Sequence, residues 1–243
     1  MTLILGIDTA GGRTSAAVLN GDMILASAIA DAEFSSETLV TIISKALHSA
    51  NKTIADVAGI GVATGPGSYT GIRAGLSAAA GLAAPRKTPV IGVSSLFAIA
   101  LSGNKGTGIY LVKLAASGED CYCGVFYLDT ESRYLESSPE LVVSQAKFSQ
   151  HPESLIEPLR ASLSALGIDS AQLAVHLVDS ANLNQPLAVS VARAFSFSSL
   201  DLDTGNLDSG KNSEQQRILA PKAQYLRGIN AKTIVEREQS RNV

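Results

Sequence analysis

Two short stretches carry residue types that could do chemistry. Gly65-Pro66-Gly67-Ser68 follows the apolar run Ile60-Gly61-Val62-Ala63 and opens a row of good helix formers from Thr70 to Ala84. The glycines on either side of Pro66 supply backbone freedom, and Ser68 or Thr70 can accept a hydrogen bond from the first orphan amides of that helix. A glycine turn opening a helix is a ready place for an anion, and the same turn also occurs where the chain only has to reverse sharply. Asp8-Thr9 closes the first apolar run, Ile4-Leu5-Gly6-Ile7. Asp8, Thr9, Gly65, Gly67 and Ser68 are therefore the candidates for lying near a phosphate.

Other chemistry is poorly supplied. Glu119 and Asp120 are a carboxylate pair that reads either as acid–base machinery or as solvated loop charge. Ser68 does not stand in Gly-x-Ser-x-Gly, and no histidine accompanies it in a related motif. Cys121 has no basic neighbour to lower its pKa, and with Cys123 it reads as a small core hydrophobe on one strand face. His48, His151 and His176 are scattered, without His-x-x-x-His spacing. No catalytic residue is assigned, and no protein-held metal is expected.

The helix after the glycine turn is unusual. Gly71 and Gly75 are four apart, as are Ala74 and Ala78, so one face is nearly bare, with Ile72, Leu76, Ala79 and Ala83 beside it. Each interior glycine costs about 1 kcal/mol against alanine, which close packing could offset. Two occupants of that face stay open: the chain's own core, or a helix of another subunit. The preceding helix, from Ser35 or Ser36 to about Ala50, carries Leu39, Val40, Ile42, Ile43, Ala46 and Leu47, a face wider than one core contact needs. Ser36, Leu39, Ile43, Gly71, Ile72, Gly75, Leu76 and Ala79 are the expected partner interface.

The elements that must hold these residues follow from alternation and breakers. Strands are expected at Thr2–Asp8, Thr14–Leu19, Met23–Ala28, Ile60–Ala63 and Thr88–Val93, with a helix at Leu96–Leu101. Beyond the breaker-rich Ser102–Gly108, strands are expected at Ile109–Leu114, Cys121–Leu128, Glu140–Val143 and Leu173–Val178, and helices at Glu153–Leu166 and Gln185–Phe195. The turn between the strands at Ile109 and Cys121 reads as loose. This gives an α/β fold of mixed sheets flanked by helices, divided into residues 1–102 and 103–219. Residues 201–217 read as a loop, and 220–243 are expected to pack back on the first domain.

Composition narrows the class. The 243 residues are 46% hydrophobic and 17% charged, with 5% aromatics, no Trp and a net charge of −3. Such a chain has little material for stacking bases or neutralising phosphates, so it is not expected to grip nucleic acid by itself. No apolar run reaches the roughly 18 residues of a membrane span, and Met1–Gly6 lacks a basic leader, so a cytoplasmic, membrane-free protein is expected.

Strand–turn–strand–turn–strand with Asp8 at the first turn resembles the opening of the actin, Hsp70 and sugar-kinase superfamily, whose first hairpin approaches nucleotide phosphates. A more specific resemblance rests on Ile4-Leu5-Gly6-Ile7-Asp8-Thr9-Ala10, on Gly65-Pro66-Gly67-Ser68-Tyr69-Thr70-Gly71-Ile72-Arg73-Ala74-Gly75-Leu76, on Pro89–Leu96, and on Tyr225-Leu226-Arg227 with Ala231-Lys232. Together these resemble the TsaB family of bacterial tRNA threonylcarbamoyladenosine biosynthesis proteins.

That resemblance implies a two-domain actin-like (ASKHA, ribonuclease H-like) fold acting as a non-catalytic dimerisation or scaffold subunit. The partners it implies are a TsaD-like catalytic paralogue and a TsaE-like ATPase, with a homodimer as an alternative when the chain is alone. ATP and Mg, and likewise tRNA, are implied only in the assembled complex. The family usually has His-Ser where Phe34-Ser35-Ser36 stands, and of its Asp-Ala-Arg and Gly-Glu in the second domain only Gly118-Glu119 is kept. The rival expectation is a nucleotide-dependent small-molecule kinase of the same superfamily, although Asp179-Ser180-Ala181-Asn182 offers no glycine pair for adenosine.

Overall fold

A computed structural model describes residues 2–11, 13–30, 36–103, 105–129 and 134–199. The first sheet contains β1 (Leu3–Asp8), β2 (Thr14–Asn20), β3 (Met23–Ala30), β4 (Gly59–Gly65) and β5 (Val90–Ser94), in the order β3-β2-β1-β4-β5. β2 is antiparallel to β1 and β3, while β1, β4 and β5 run parallel. The second sheet has the order β10-β6-β7-β8, with β9 also on β7. Its strands are β6 (Gly108–Ala115), β7 (Asp120–Asp129), β8 (Tyr134–Ser137), β9 (Leu141–Ser144) and β10 (Val175–Asp179). The helices are α1 (Ser36–Ser49), α2 (Tyr69–Ala83), α3 (Ser95–Ser102), α4 (Gln145–Gln150), α5 (Pro152–Ala165) and α6 (Leu187–Ser199).

β1 is buried throughout because both faces of the sheet are covered. Leu3, Leu5 and Ile7 point to the side where α1 and α2 contribute Leu39, Ile43, Leu47 and Ala79; Ile4 points to the opposite core. That opposite core belongs to α6. Its backbone lies so close to the sheet that a Cβ at Gly6 would stand 2.0 Å from the Ala188 carbonyl oxygen, and one at Gly61 would stand 2.7 Å from that of Val191. A Cβ at Gly59 would meet the Phe195 ring at 2.3 Å. Three glycines on two neighbouring strands thus form the track on which α6 is laid.

The second sheet repeats the layering. Ile109, Leu111, Cys121, Cys123, Val125 and Tyr127 face α4 and α5, while Tyr110, Val112, Tyr122, Phe126 and Leu128 join the core around α3 and α6. That core is continuous between the two sheets, and Ser94 ties them further. Its hydroxyl caps α3 by accepting from the Phe97 amide at 3.2 Å, and it donates to Glu140 before β9.

The structure adds β8 and α4 to the elements read from the sequence, and it carries α6 on to Ser199. α6 lies within residues 103–219, yet it packs on β1, β2 and β4, so the first sheet is completed by chain from beyond the 102/103 division. The expectations for 201–217 and 220–243, including Tyr225-Leu226-Arg227 and Ala231-Lys232, fall outside the described residues.

Candidate functional site: the cleft between the sheets and the outer helix layer

The structure brings the five phosphate-proximal candidates together at the carboxyl ends of β1 and β4. Asp8 is 2% exposed, and its Oδ1 accepts the Ala10 amide at 3.0 Å. Burial pushes its carboxyl up from 3.8 to about 6, against hydrogen bonds from the amides of Ala10, Gly11 and Thr9 that pull the other way. The Thr9 hydroxyl donates to the Gly71 carbonyl at 2.7 Å.

The glycine turn is shaped by its neighbours on that hairpin. The Ser68 amide donates to the Ala10 carbonyl at 3.0 Å. Gly67 has φ +151°, and a Cβ there would stand 2.2 Å from the same oxygen. Gly65, at φ +101°, sits where the β4–β5 register shifts. Ser68 caps α2 by accepting the Gly71 amide at 3.2 Å. Sharp reversal and close backbone packing therefore account for the turn.

The opposite wall comes from the second sheet. Contrary to the loose turn expected there, β6 and β7 form a tight hairpin. The Ala116 amide donates to the Asp120 carbonyl at 3.2 Å, and Gly118 takes φ +71°. A left-handed glycine supplies the turn geometry that composition alone did not announce. Glu119 and Asp120 do not line the cleft. Asp179 is neutralised by Lys113, whose Nζ lies 2.8 Å from Oδ2, and its Oδ1 accepts the Ala181 amide at 3.0 Å. At the third side the Ala188 amide, in the first turn of α6, donates to the Ser15 hydroxyl at 3.2 Å.

These walls line an open cavity of about 700 Å³. Asp8, Arg13, Ser15, Ser68, Ser117 and Ser180 give it polar groups, and Ile29, Ile99, Leu114, Tyr122 and Leu187 give it apolar ones. Of these only Asp8 and Ser68 were singled out from sequence. Ser15 left a usable trace, a hydroxyl inside the apolar run Ser15-Ala16-Ala17-Val18, and Ser180 lay in the segment weighed for adenosine; Arg13 and Tyr122 left none. No three His, Cys, Asp or Glu side chains converge among the described residues. Both cysteines are buried and unbonded in the core of the second sheet, and His176 stacks on Tyr110.

The residues expected to meet a partner need correction. Leu39, Ile43, Ile72 and Ala79 are 4% exposed or less, and Gly71 and Gly75 are buried. A Cβ at Gly71 would stand 2.0 Å from the Thr9 carbonyl oxygen, and one at Gly75 would stand 2.4 Å from the Thr9 hydroxyl. At Gly71 and Gly75 the bare face of α2 is thus filled by this chain's own hairpin. Leu76 is half-buried on the edge of that packing, and the Ser36 side chain lies outside the described residues. What the layer presents outward is a different set: Val40, 65% exposed, with Ser44 on α1, and Arg73, Ser77, Ala80 and Gly81 on α2. Nothing lies within 4 Å of a Cβ built at Gly81.

Comparison with known proteins agrees with the motifs. A tRNA N6-adenosine threonylcarbamoyltransferase of Tropheryma whipplei is 31% identical over 131 residues, covering 45% of this chain and 33% of that protein. The tRNA threonylcarbamoyladenosine biosynthesis protein TsaB of Escherichia coli is 32% identical over 97 residues, 40% of this chain and 42% of that protein. The chain spans about a third of the length of the first curated relatives it matches. In fold it is similar to a Pseudomonas aeruginosa protein described as similar to peptidase YEAZ, with a TM-score of 0.65 at 21% identity over 93% of this chain and all of that one. YeaZ from the same organism gives 0.61 at 21% identity, over 83% of this chain and 94% of that one. The family model described as "TsaD: tRNA N6-adenosine threonylcarbamoyltransferase" matches residues 29–208 of the 243, and the chain belongs to that family.

Proposed function

We propose that this chain is a non-catalytic scaffold subunit in the formation of threonylcarbamoyladenosine on tRNA. In this role the outer faces of α1 and α2 dock on a TsaD-like catalytic paralogue, and a TsaE-like ATPase joins the pair. ATP, Mg and tRNA enter through the assembled complex, not through this chain alone, and the reaction proceeds in the cytoplasm. The same helix layer can pair two copies when the paralogue is missing.

The observation that carries this reading is the split character of the layer. The inner face of α2 is packed to backbone contact against the hairpin at Thr9, and that of α1 is buried on β2 and β3. The layer's outer face presents a largely exposed Val40 on α1 and small exposed residues at Ser77, Ala80 and Gly81 on α2, a surface on which another helix can lie closely. Close inner packing and small outer side chains together lower the cost of ordering an interface.

Light scattering and calorimetry with the TsaD-like paralogue of the same organism test this. Val40→Glu and Gly81→Glu place charge on exposed positions, so the monomer keeps its circular dichroism and melting temperature. The paralogue is bound at least about tenfold more weakly, as expected of a charge introduced into an interface core. Binding by both variants at the parent's affinity removes the α1–α2 face from the proposal.

A further inference from the structure

Seven backbone donors around the cleft are already engaged. The Ala10 amide serves Asp8 at 3.0 Å, as do the amides of Thr9 and Gly11. The Ser68 amide serves Ala10, the Gly71 amide serves the Ser68 hydroxyl, and the Ala181 amide serves Asp179. The Ala188 amide, at the start of α6, serves Ser15. An anion entering here would meet helix starts already capped by this chain's own oxygens, and a carboxylate at Asp8 where a phosphate cradle needs positive potential.

The positive groups do not reverse this. Lys113 is held by Asp179 at 2.8 Å, and Arg13, the one cation among the described lining residues, is exposed. Asp8 in contrast is 98% buried, and burial and backbone amides are what set its ionisation. A lone carboxylate is a poor seat for Mg²⁺, which is usually held by one or two carboxylates together with substrate phosphates. The partner it does suit is a hydrogen-bond donor carrying positive charge.

We propose that the cavity between the two sheets binds a small organic ammonium ion, its charged end on Asp8 and its apolar body against Ile29, Ile99, Leu114, Tyr122 and Leu187. A cavity of about 700 Å³ falls in the range of small-molecule sites, and it has the apolar lining with few convergent polar groups that such sites show. The site is specified by charge sign: it accepts ammonium and rejects polyphosphate. This assignment does not rest on the docking role of α1 and α2.

Calorimetry and thermal shift on the full chain, with tyramine as the probe, test it. Tyramine binds and raises the melting temperature, whereas N-acetyltyramine, equal in body but neutral, binds at least about tenfold more weakly. Asp8→Asn abolishes that preference. Ala116→Trp places bulk in the cavity lining while leaving Asp8 in the sequence, and is expected to abolish tyramine binding; circular dichroism verifies both folds, and Ala116→Trp decides the matter if Asp8→Asn fails to fold. The proposal is overturned by equal binding of the two probes, by tyramine preference surviving in Asp8→Asn, or by no tyramine binding up to about 10 mM. Tripolyphosphate or Mg-ATP binding that Ala116→Trp blocks overturns it equally, and restores the anion reading of the glycine turn.

Discussion

Asp8 gives the sharpest test of the cleft as described. Its carboxyl stands at about 6 in the folded chain against an ordinary 3.8, and the difference amounts to about 3 kcal/mol of free energy by which folding disfavours the ionised form. The folded-state value lies above the unfolded one. Between about pH 4 and pH 6 the folded chain therefore retains a proton that the unfolded chain has released. Stability from this group is greatest below about pH 4, falls as pH rises through that window, and is level above it. Asp8→Asn removes the charge and keeps an oxygen for the Ala10 amide. Near pH 7.5 the variant is expected to be more stable than the parent by about 1–3 kcal/mol, the lower figure allowing for weaker hydrogen bonds to a neutral acceptor. Near pH 4 the two are expected to converge. Urea unfolding followed by circular dichroism across this range gives the difference directly, other titrating groups cancelling between parent and variant. A difference that does not change with pH, or one that grows as pH falls, refutes the account of Asp8 as a carboxyl held up by burial.

Three further outcomes follow from contacts elsewhere. Gly61→Val drives a side chain into the Val191 carbonyl, where even a Cβ stands at 2.7 Å, so α6 must lift from the sheet; a loss of about 3 kcal/mol or more in chemical denaturation is expected, and a loss below about 1 kcal/mol would show that α6 is not laid on that track. Ser15→Ala removes the acceptor of the Ala188 amide and is expected to cost about 1 kcal/mol, read in the same assay; an unchanged midpoint contradicts the cap. Burial, with Cys121 adding a smaller push, raises the Cys123 thiol to about 12, so its thiolate fraction at pH 8 is about 10⁻⁴. Native protein is expected to resist iodoacetamide over a period in which urea-unfolded protein takes up two equivalents, and mass spectrometry of the native sample shows whether it does.

The sequence displayed its strands and helices because their patterns are local. β1 and β4 are continuous apolar runs and α5 is an amphipathic period, each visible within a dozen residues. What it could not display were the occupants of bare surfaces. Gly71 and Gly75 announce that something approaches α2 closely, but the thing that approaches is Thr9, 62 residues away from Gly71. A glycine records the absence of a side chain and carries no address. Gly6, Gly59 and Gly61 follow the same logic with α6, whose helical period was legible while its seat on the first sheet was not. The wide apolar face of α1 read as surplus to one core contact; in the structure all of it but Val40 is consumed by β2 and β3 together, since a helix lying across two twisted strands needs a broader stripe than one lying along a single strand. The hairpin at Gly118 was missed because a single glycine among polar residues reads the same in a loose loop and in a tight turn, and only its φ of +71° separates them.

Within this chain the Asp8 side chain has one structural task, to accept amides at the end of β1, and an asparagine oxygen would do that without an ionisation penalty. Thr9 and Ala10 make the close contacts of this hairpin with α2 and the glycine turn, through the Thr9 hydroxyl and the two backbone carbonyls, and none of these uses the Asp8 charge. The charge at Asp8 is therefore surplus to the fold and is maintained against it. Such a charge at the floor of a cavity is the mark of a binding group, because the free energy withheld on folding is recovered when a ligand of opposite sign arrives. This is why the ammonium site and the pH dependence of stability stand together: both follow from a carboxylate that the cleft surrounds with too little solvent.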